Sequence, residues 1–362
     1  MAHRLSYLVK HMTHTTTIIF IVGFVVDMVI LPDIDHPITR YIGLAHLSVV
    51  AFFIMFREWL VSRNTASNFE QKLYSLSSFA ISLSSGAALS FICIYAIRSA
   101  ALSVSWPLFL ILSLCIIANE FVSTHNFRFT LDVGILLIAT LFFIIFNVPV
   151  LTKVQNDNSF LLSIVITIII SFIYLYLLHL TSEAARNEAP RTYALAIGIP
   201  MFVGMLYILN VIPAVPLSLS NSGVYYNVIK VSSGEFIAQK EKVEPSFFDK
   251  FSYFSNSTYY ITPSDTGVYF FSAVRAPGEV SAPISHVWEQ YNSEKNKWIE
   301  RTVIPFTLDG GREDGYRAYS YKENIVEGLW RVTVKVDSNR IVGRMKFNVK
   351  RSDNVVLEEV KL

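Results

Sequence analysis

Charge is scarce in this sequence and cysteine scarcer. Charged residues fill 16% of the 362 positions against 52% hydrophobic ones, and the mean hydropathy is +0.45. That balance excludes an ordinary soluble domain, in which about a quarter of residues are charged. An excess of either sign is also missing: 30 Lys and Arg against 28 Asp and Glu give a net charge of +2, with no basic run or stripe. The electrostatic footprint of a nucleic-acid binder is therefore absent. The two cysteines, Cys93 and Cys115, both fall inside apolar runs. Neither a disulfide framework nor a thiolate metal site follows from them, and the sequence calls for no cofactor.

What is present is a set of long apolar runs, at 16–34, 42–61, 74–97, 106–122, 131–150, 160–180 and 194–216. Each approaches the roughly 20 apolar residues needed to cross the hydrocarbon core of a bilayer. The first run, behind Arg4 and Lys10, is followed by "LPDIDHP" rather than a small-x-small cleavage site, and reads as a retained helix. Basic residues in the connections separate onto two sides. Arg4, Lys10, Arg57, Arg63, Lys72, Arg128, Arg186 and Arg191 share one, and Arg40, Arg98 and Lys153 the other. Lys and Arg are retained on the cytoplasmic side, which predicts a cytoplasmic N-terminus. An odd number of spans then delivers residue 217 onward to the opposite face, in a bacterium the periplasmic side of the inner membrane. Pro213 and Pro216 end the last run. In the third run Ser78, Ser82, Gly86 and Ser90 recur every four residues, a face of small side chains that lets a neighbouring helix come close.

Residues 1–221 carry 11 of the 30 Lys and Arg and 10 of the 28 Asp and Glu, so polar groups within the runs stand out. Asp27 lies five residues before Pro32, roughly 7 Å below the outer surface at 1.5 Å per residue. His46 lies about as deep in the second, antiparallel run. With Arg98, Asn147 and Asn210 near outer ends of other runs, they compose a candidate polar layer. Two readings stand: a site for a proton, ion or lipid headgroup in which Asp27 and His46 share a proton, or interhelical hydrogen bonds and span-end caps. Asp33, Asp35 and His36 in "DIDHP" supply donors for a divalent cation, though in no recognised metal spacing. Glu58, Glu120, His125, Asp132, His179 and Glu183 lie near cytoplasmic span ends and read as interface residues that reach water.

From Gly223 the pattern changes to short β-branched and aromatic runs at 224–231, 267–275, 284–291, 297–304, 316–321, 329–337 and 340–350, punctuated by Gly, Pro, Asn and Asp. In "LWRVTVKV", Trp330, Val332, Val334 and Val336 alternate with Arg331, Thr333 and Lys335, as in a strand with one wet face, and Ser338 and Asn339 turn it into a hairpin. The pattern predicts an immunoglobulin-like β-sandwich stable from its core alone. Residues 235–262 lack strand alternation, and Phe247, Phe248, Phe251 and Phe254 are spaced like one face of a candidate amphipathic helix. The predicted fold is thus an all-α membrane bundle of seven transmembrane helices over 1–216, an exit linker with the first strand over 217–262, and an all-β sandwich over 263–362.

Catalysis by this second half is disfavoured, because its single histidine, His286, has no Ser or Cys nucleophile motif nearby. His286 and Trp288 share a strand face that is either a core edge or a recognition surface. In "DGGREDGYRAYS", Arg312, Glu313, Asp314 and Arg317 either pair among themselves or present Arg to a carboxylate or phosphate.

The stretches "SHVW", "GGREDGYRAYSYKENIVEGLWRVTV" and "GRMKFNV" resemble the C-terminal module of the bacterial domain of unknown function family 2914, which pairs an H-x-W strand with a G-G-R-x-x-G-x-R loop, a G-x-W-R-V strand and a G-R-x-x-F-x-V ending. "GFVVDMVIL", "ANE" and "NVIPAVPLSL" resemble that family's multi-span region. The resemblance implies an inner-membrane protein with a periplasmic β domain and implies no activity. By position it singles out Asp27, Glu120, His286, Trp288, Arg312, Gly315, Arg317, Trp330 and Arg331. The function expected is recognition or assembly by the exported domain, with a membrane or envelope protein or a glycan as partner and the lipid bilayer as anchor. The alternative is a membrane-embedded transporter, sensor or enzyme working at Asp27 and His46.

Overall fold

In the computed structural model the apolar runs form helices: α1 (Ala2–Ile30), α2 (Pro37–Ser62), α3 (Asn68–Arg98), α4 (Leu102–Phe121), α5 (His125–Thr152), α6 (Asp157–His179), the short α7 (Glu183–Asn187) and α8 (Ala189–Ile208). The residues described are 2–31, 37–63, 67–98, 102–121, 125–212, 217–231, 235–242, 257–261, 267–275, 282–308, 315–336, 340–352 and 355–362. A helix pairs the backbone N–H and C=O groups of its interior within its own segment, leaving only those of its end turns over, which is why a greasy run resolves this way in the absence of water. Among the described residues five helices are long and apolar enough to cross a membrane, over Ile38–Ser62, Asn68–Ile94, Phe127–Thr152, Asp157–His179 and Ala189–Ile208; Thr15–Ile30 and Leu108–Asn119 are shorter apolar stretches. The last run stops being helical at Ile208, short of the expected end at 216, because Asn210 adopts φ +55°. Asn tolerates this left-handed geometry and so ends helices.

The chain forms two compact units, one of Met1–Ala96, Pro107–Thr152 and Asp157–Val211, the other of Ile97–Trp106, Lys153–Asn156 and Ile212–Leu362. In the helical unit α5 is central and packs against α2, α6 and α8. The small-residue face of α3 meets α1. A Cβ on Gly86 would collide with the Phe20 carbonyl, and one on Gly23 with the Leu83 carbonyl, so each helix supplies a glycine at the crossing. Ser78, Ser82 and Ser90 on the same face are buried.

The other unit is β-rich, with β1 (Ser218–Tyr225), β2 (Asn227–Lys230), β3 (Phe236–Glu241), β4 (Ser257–Ile261), β5 (Gly267–Arg275), β6 (Ala282–Asn292), β7 (Lys297–Leu308), β8 (Tyr316–Glu323), β9 (Gly328–Val336), β10 (Arg340–Arg351) and β11 (Leu357–Lys361). They build three sheets, ordered β1-β5-β8, β4-β10-β9-β6-β7 and β11-β3-β2. Among the described residues all pairings are antiparallel except β4 with β10. The first two sheets share a core that includes Leu219, Val268, Phe270, Ile284, Trp288, Trp330, Val332, Val334 and Phe347. Strand alternation in "LWRVTVKV" places its apolar residues there, and the β9–β10 hairpin forms with Arg340 opposite Val336. Parts of 235–262, which lack apolar alternation in the sequence, are strands: β3 buries only Phe236 and Ala238 and holds its place between β2 and β11 through backbone pairing. The candidate helix at Phe247, Phe248, Phe251 and Phe254 lies outside the described residues.

Candidate functional site

Antiparallel packing of α1 and α2 brings Asp27 and His46 together, with Oδ2 3.3 Å from Nε2. The distance suits an ion pair with a protonated imidazole, yet Asp27 Oδ2 has no aligned hydrogen-bond donor among the described residues. Of the rest of the expected layer, Asn147 and Asn210 serve the ends of their own helices. The Asn147 side chain donates to the Phe143 carbonyl of its own helix at 2.7 Å, and Asn210 is the left-handed residue closing α8. Arg98 ends α3, and its side chain, like the residues Asp33, Asp35 and His36, lies outside what is described. Among the described residues no group of three His, Cys, Asp or Glu is placed to hold a metal ion.

At the opposite end of the helices the sequence reading missed a convergence. The sequence reads Arg57 and Arg128 as residues of cytoplasmic connections and Glu58 and Asp132 as interface residues; in the structure Arg57 and Glu58 of α2 and Arg128 and Asp132 of α5 are 2%, 1%, 7% and 2% exposed. Arg57 Nη1 donates to Asp132 Oδ2 at 2.7 Å, Arg128 Nε stands 3.2 Å from Asp132 Oδ1, and Arg57 Nε is 3.7 Å from Glu58 Oε1. Arg128 also donates to the Asn119 carbonyl and to Ser82 Oγ, and the Asn119 side chain donates to Thr17. Five helices thus meet at one neutral cluster of two cations and two carboxylates. Its sequence signal was the i,i+4 pair Arg128 and Asp132 beside the adjacent Arg57 and Glu58. A separate groove of about 590 Å³ between α4, α5 and α8 is walled by Ile111, Phe127, Leu131, Gly134 and Phe202 and offers almost no polar anchor.

In the β-rich unit His286 and Trp288 do not form a recognition surface, as both are 0% exposed. Alternation along β6 turns Ile284, His286 and Trp288 inward together. His286 Nε2 lies 2.7 Å from Ser272 Oγ on β5 and Nδ1 lies 2.8 Å from Ser320 Oγ on β8, which also accepts from Trp288 Nε1 at 3.1 Å. The cluster joins the two sheets that share the core. Burial pushes the His286 pKa down to about 3, so the ring is neutral. Both its ring nitrogens are taken by hydroxyls and it is fully buried, the setting of a structural histidine rather than of a general base. Trp330 is likewise a core residue, its indole donating to the Val326 carbonyl, and Gly315 serves a backbone at φ +84°. Arg317 sits half-buried on β8, whereas Arg312, Glu313 and Asp314 fall outside the described residues.

The other face of the five-stranded sheet carries the charge. Register sets Lys346 opposite Arg331, Arg331 opposite Glu289 and Glu289 opposite Glu300, with Arg344 beside them opposite Thr333. Arg331 donates through Nε and Nη2 to both Glu289 oxygens at 2.6 Å, and Thr333 adds a bond at 2.7 Å. Burial raises the Glu289 pKa, but these hydrogen bonds outweigh it and hold the carboxyl below its usual value. A bulge between Thr302 and Glu300 shifts the β6–β7 register by one residue. Such a slip flips every later side chain to the other face. Ile304 and Phe306 therefore pack on the core while Trp298, at the start of β7 on the other side of the bulge, lies outside with the Arg331 guanidinium 4.4 Å above its ring. Arg344 has no hydrogen bond or ion pair with any described residue, and burial followed by repulsion from Arg331 lowers its pKa.

Comparison with known proteins bears on this same segment. Residues 281–349 match the family model described as "Protein of unknown function (DUF2914)". No curated protein matches the chain. Among solved structures, a Pseudomonas fluorescens alkylpurine DNA glycosylase, AlkC, bound to DNA containing an abasic site analog, aligns over 88% of this chain and 99% of that one at 10% identity; its TM-score of 0.21 carries no argument. Strands β6 to β10, with the His286 clamp inside and the Arg331 ladder outside, are the part of the molecule that matches the DUF2914 family model.

Proposed function

We propose that this is a bacterial inner-membrane protein in which seven spanning helices, with the N-terminus in the cytoplasm, anchor a periplasmic immunoglobulin-like sandwich that recognises a partner or assembles with one. The observation that carries the reading is the division of labour within the family segment. Its single histidine is consumed by a sealed core clamp, while its Arg, Glu and Trp side chains are displayed on a sheet face. A surface of that kind recognises; a catalytic site needs a cleft that converges on a reactive group. Five helices of spanning length and two shorter apolar ones support the anchor, and the distribution of Lys and Arg supports its direction. The full chain, purified from native membranes, recovers its partner in this reading, and deletion of 223–362 abolishes recovery while the helices still insert. Unchanged recovery refutes it. A carboxyl-terminal reporter active only in the cytosol refutes the direction.

A second reading rests on the contact between Asp27 and His46. Ionisable residues inside spans mark ion or proton sites by default. Here Asp27→Asn destroys transport or sensing without lowering expression, and wild-type behaviour of that variant ends it.

A further inference from the structure

We propose that the outer face of the five-stranded sheet binds a carboxylate-bearing saccharide, with Arg344 and Arg331 on the carboxylate, Glu289 on ring hydroxyls and Trp298 along the sugar. This rests on the recognition reading and names the chemistry of its surface. The register places three cations, Arg344, Lys346 and Arg331, on the β9–β10 side and two carboxylates, Glu289 and Glu300, on the β6–β7 side. Arg331 is engaged, bidentate to Glu289, yet its Nη1 protons are left over, as the guanidinium carries five donors. Arg344 makes no hydrogen bond with a described residue, and the like charge of Arg331 beside it outweighs the attraction of Glu289, a setting that a purely structural face would avoid. Two guanidiniums in this setting suit the planar fork of a carboxylate.

The neighbouring carboxylates choose among anions. A doubly charged phosphate placed here meets Glu289 and Glu300, whereas a singly charged acidic sugar offers hydroxyl donors to those same oxygens. Trp298 and Tyr291, edge to face at 5.3 Å, add an aromatic patch next to the cations, and Trp298 is there only because of the bulge in β7. Aromatic side chains supply rigid apolar area beside polar groups at small entropic cost. Among the described residues this is where an unpaired arginine, a carboxylate and a half-exposed tryptophan coincide.

The test applies the full-length protein in detergent to a panel of uronic-acid oligosaccharides, their neutral counterparts of equal length, and inorganic phosphate. At least one uronate binds ten-fold or more tighter than its neutral counterpart. Arg344→Ala and Trp298→Ala each weaken it at least ten-fold, while Lys322→Ala on β8 leaves it unchanged. Circular dichroism of Arg344→Ala remains that of the wild type, which separates lost binding from lost folding. No preference for carboxylated sugars, an equal response to phosphate, or indifference to Arg344→Ala each overturns the proposal. If deletion of 223–362 abolishes partner recovery while Arg344→Ala leaves it intact, the recognition reading survives and this site does not.

Discussion

The helical unit buries four formal charges in one cluster, Arg57, Glu58, Arg128 and Asp132, whereas the β-rich unit buries a neutral imidazole between two hydroxyls and keeps its Arg331–Glu289 pair at 16% and 13% side-chain exposure. Both clusters join elements remote in sequence. The charged one ties α2 to α5 through Asp132 and reaches α4, α3 and α1 through Arg128, Asn119 and Ser82. The neutral one ties β6 to β5 and β8. What differs is the consequence of losing a member. A hydroxyl removed from the neutral clamp forfeits a hydrogen bond, roughly 1 to 3 kcal/mol once the orphaned partner is included. A carboxylate removed from the charged cluster leaves buried cations facing each other, and breaking a buried pair in this way costs about 3 to 5 kcal/mol.

The largest expected effect is therefore at Asp132. Asp132→Asn removes the one group that both arginines contact, and thermal unfolding in detergent shows either a collapse of the transition or no folded protein. Arg57→Met costs less, because Arg128 retains its carboxylate. Should Asp132→Asn cost no more than Ser320→Ala, the contrast between the two clusters is void. Next in size is the pH response of the β-rich unit. The folded pKa of His286, about 3, lies below the usual 6.5, so between those values the unfolded chain binds a proton that the folded one rejects. Stability is full above pH 6.5 and falls as the pH drops toward 3, by about 1.4 kcal/mol per unit. Denaturant titration of the full chain, followed by tryptophan fluorescence at pH 7 and 4.5, is expected to show a loss of about 2 to 3 kcal/mol by that slope. His286→Gln flattens this dependence; an unchanged slope places the titrating group elsewhere.

These clusters also mark how far the sequence could be read. Apolar length located the helices, and alternation around Trp330 and Trp288 located the core strands, because burial of one face writes a period directly into the chain. The crossing of α1 and α3 was foreseeable from the four-residue spacing through Gly86, though its partner Gly23 was not. The charge cluster was read as interface because its members are 75 residues apart in the chain, Arg57 to Asp132, and their meeting depends on how α2 packs on α5. A bulge leaves no periodic trace, so the outward turn of Trp298 against the parity of Ile304 and Phe306 could not be seen. Asp27 and His46 stand 3.3 Å apart because adjacent antiparallel helices constrain depth, whereas Asn147 and Asn210 share that depth but serve their own helices.

A third prediction probes backbone contact rather than charge. Gly86→Ala puts a methyl group against the Phe20 carbonyl, which is backbone and cannot rotate away. Overpacking of this kind costs about 1 to 3 kcal/mol, read as a lower unfolding midpoint in detergent. Gly198→Ala is the control, since a Cβ there meets nothing within 4 Å. Equal midpoints for the two variants show that the crossing tolerates separation.

The smallest effect is expected at Glu289, and it sharpens the contrast because this pair is charged yet part-exposed. Glu289→Gln weakens two charge-assisted bonds from Arg331 but leaves the amide able to accept from Thr333. Arg331 is also near enough to the sheet rim to regain water. The cost is accordingly about 1 kcal/mol, between a surface pair and a buried one. Its pH signature opposes that of a group that must protonate to pair. The folded carboxyl titrates below the usual value, so its contribution is present above pH ~4.5 and disappears as the pH falls through the folded pKa. Because Glu289 and His286 both lose stability toward acid, the variants separate them: Glu289→Gln removes only a part of the loss below pH ~4.5, whereas His286→Gln removes the slope that begins at pH 6.5 and runs toward 3, including all of it above pH ~4.5. A Glu289→Gln cost as large as that of Asp132→Asn makes burial, rather than the loss of a shared partner, irrelevant to the difference between the two units.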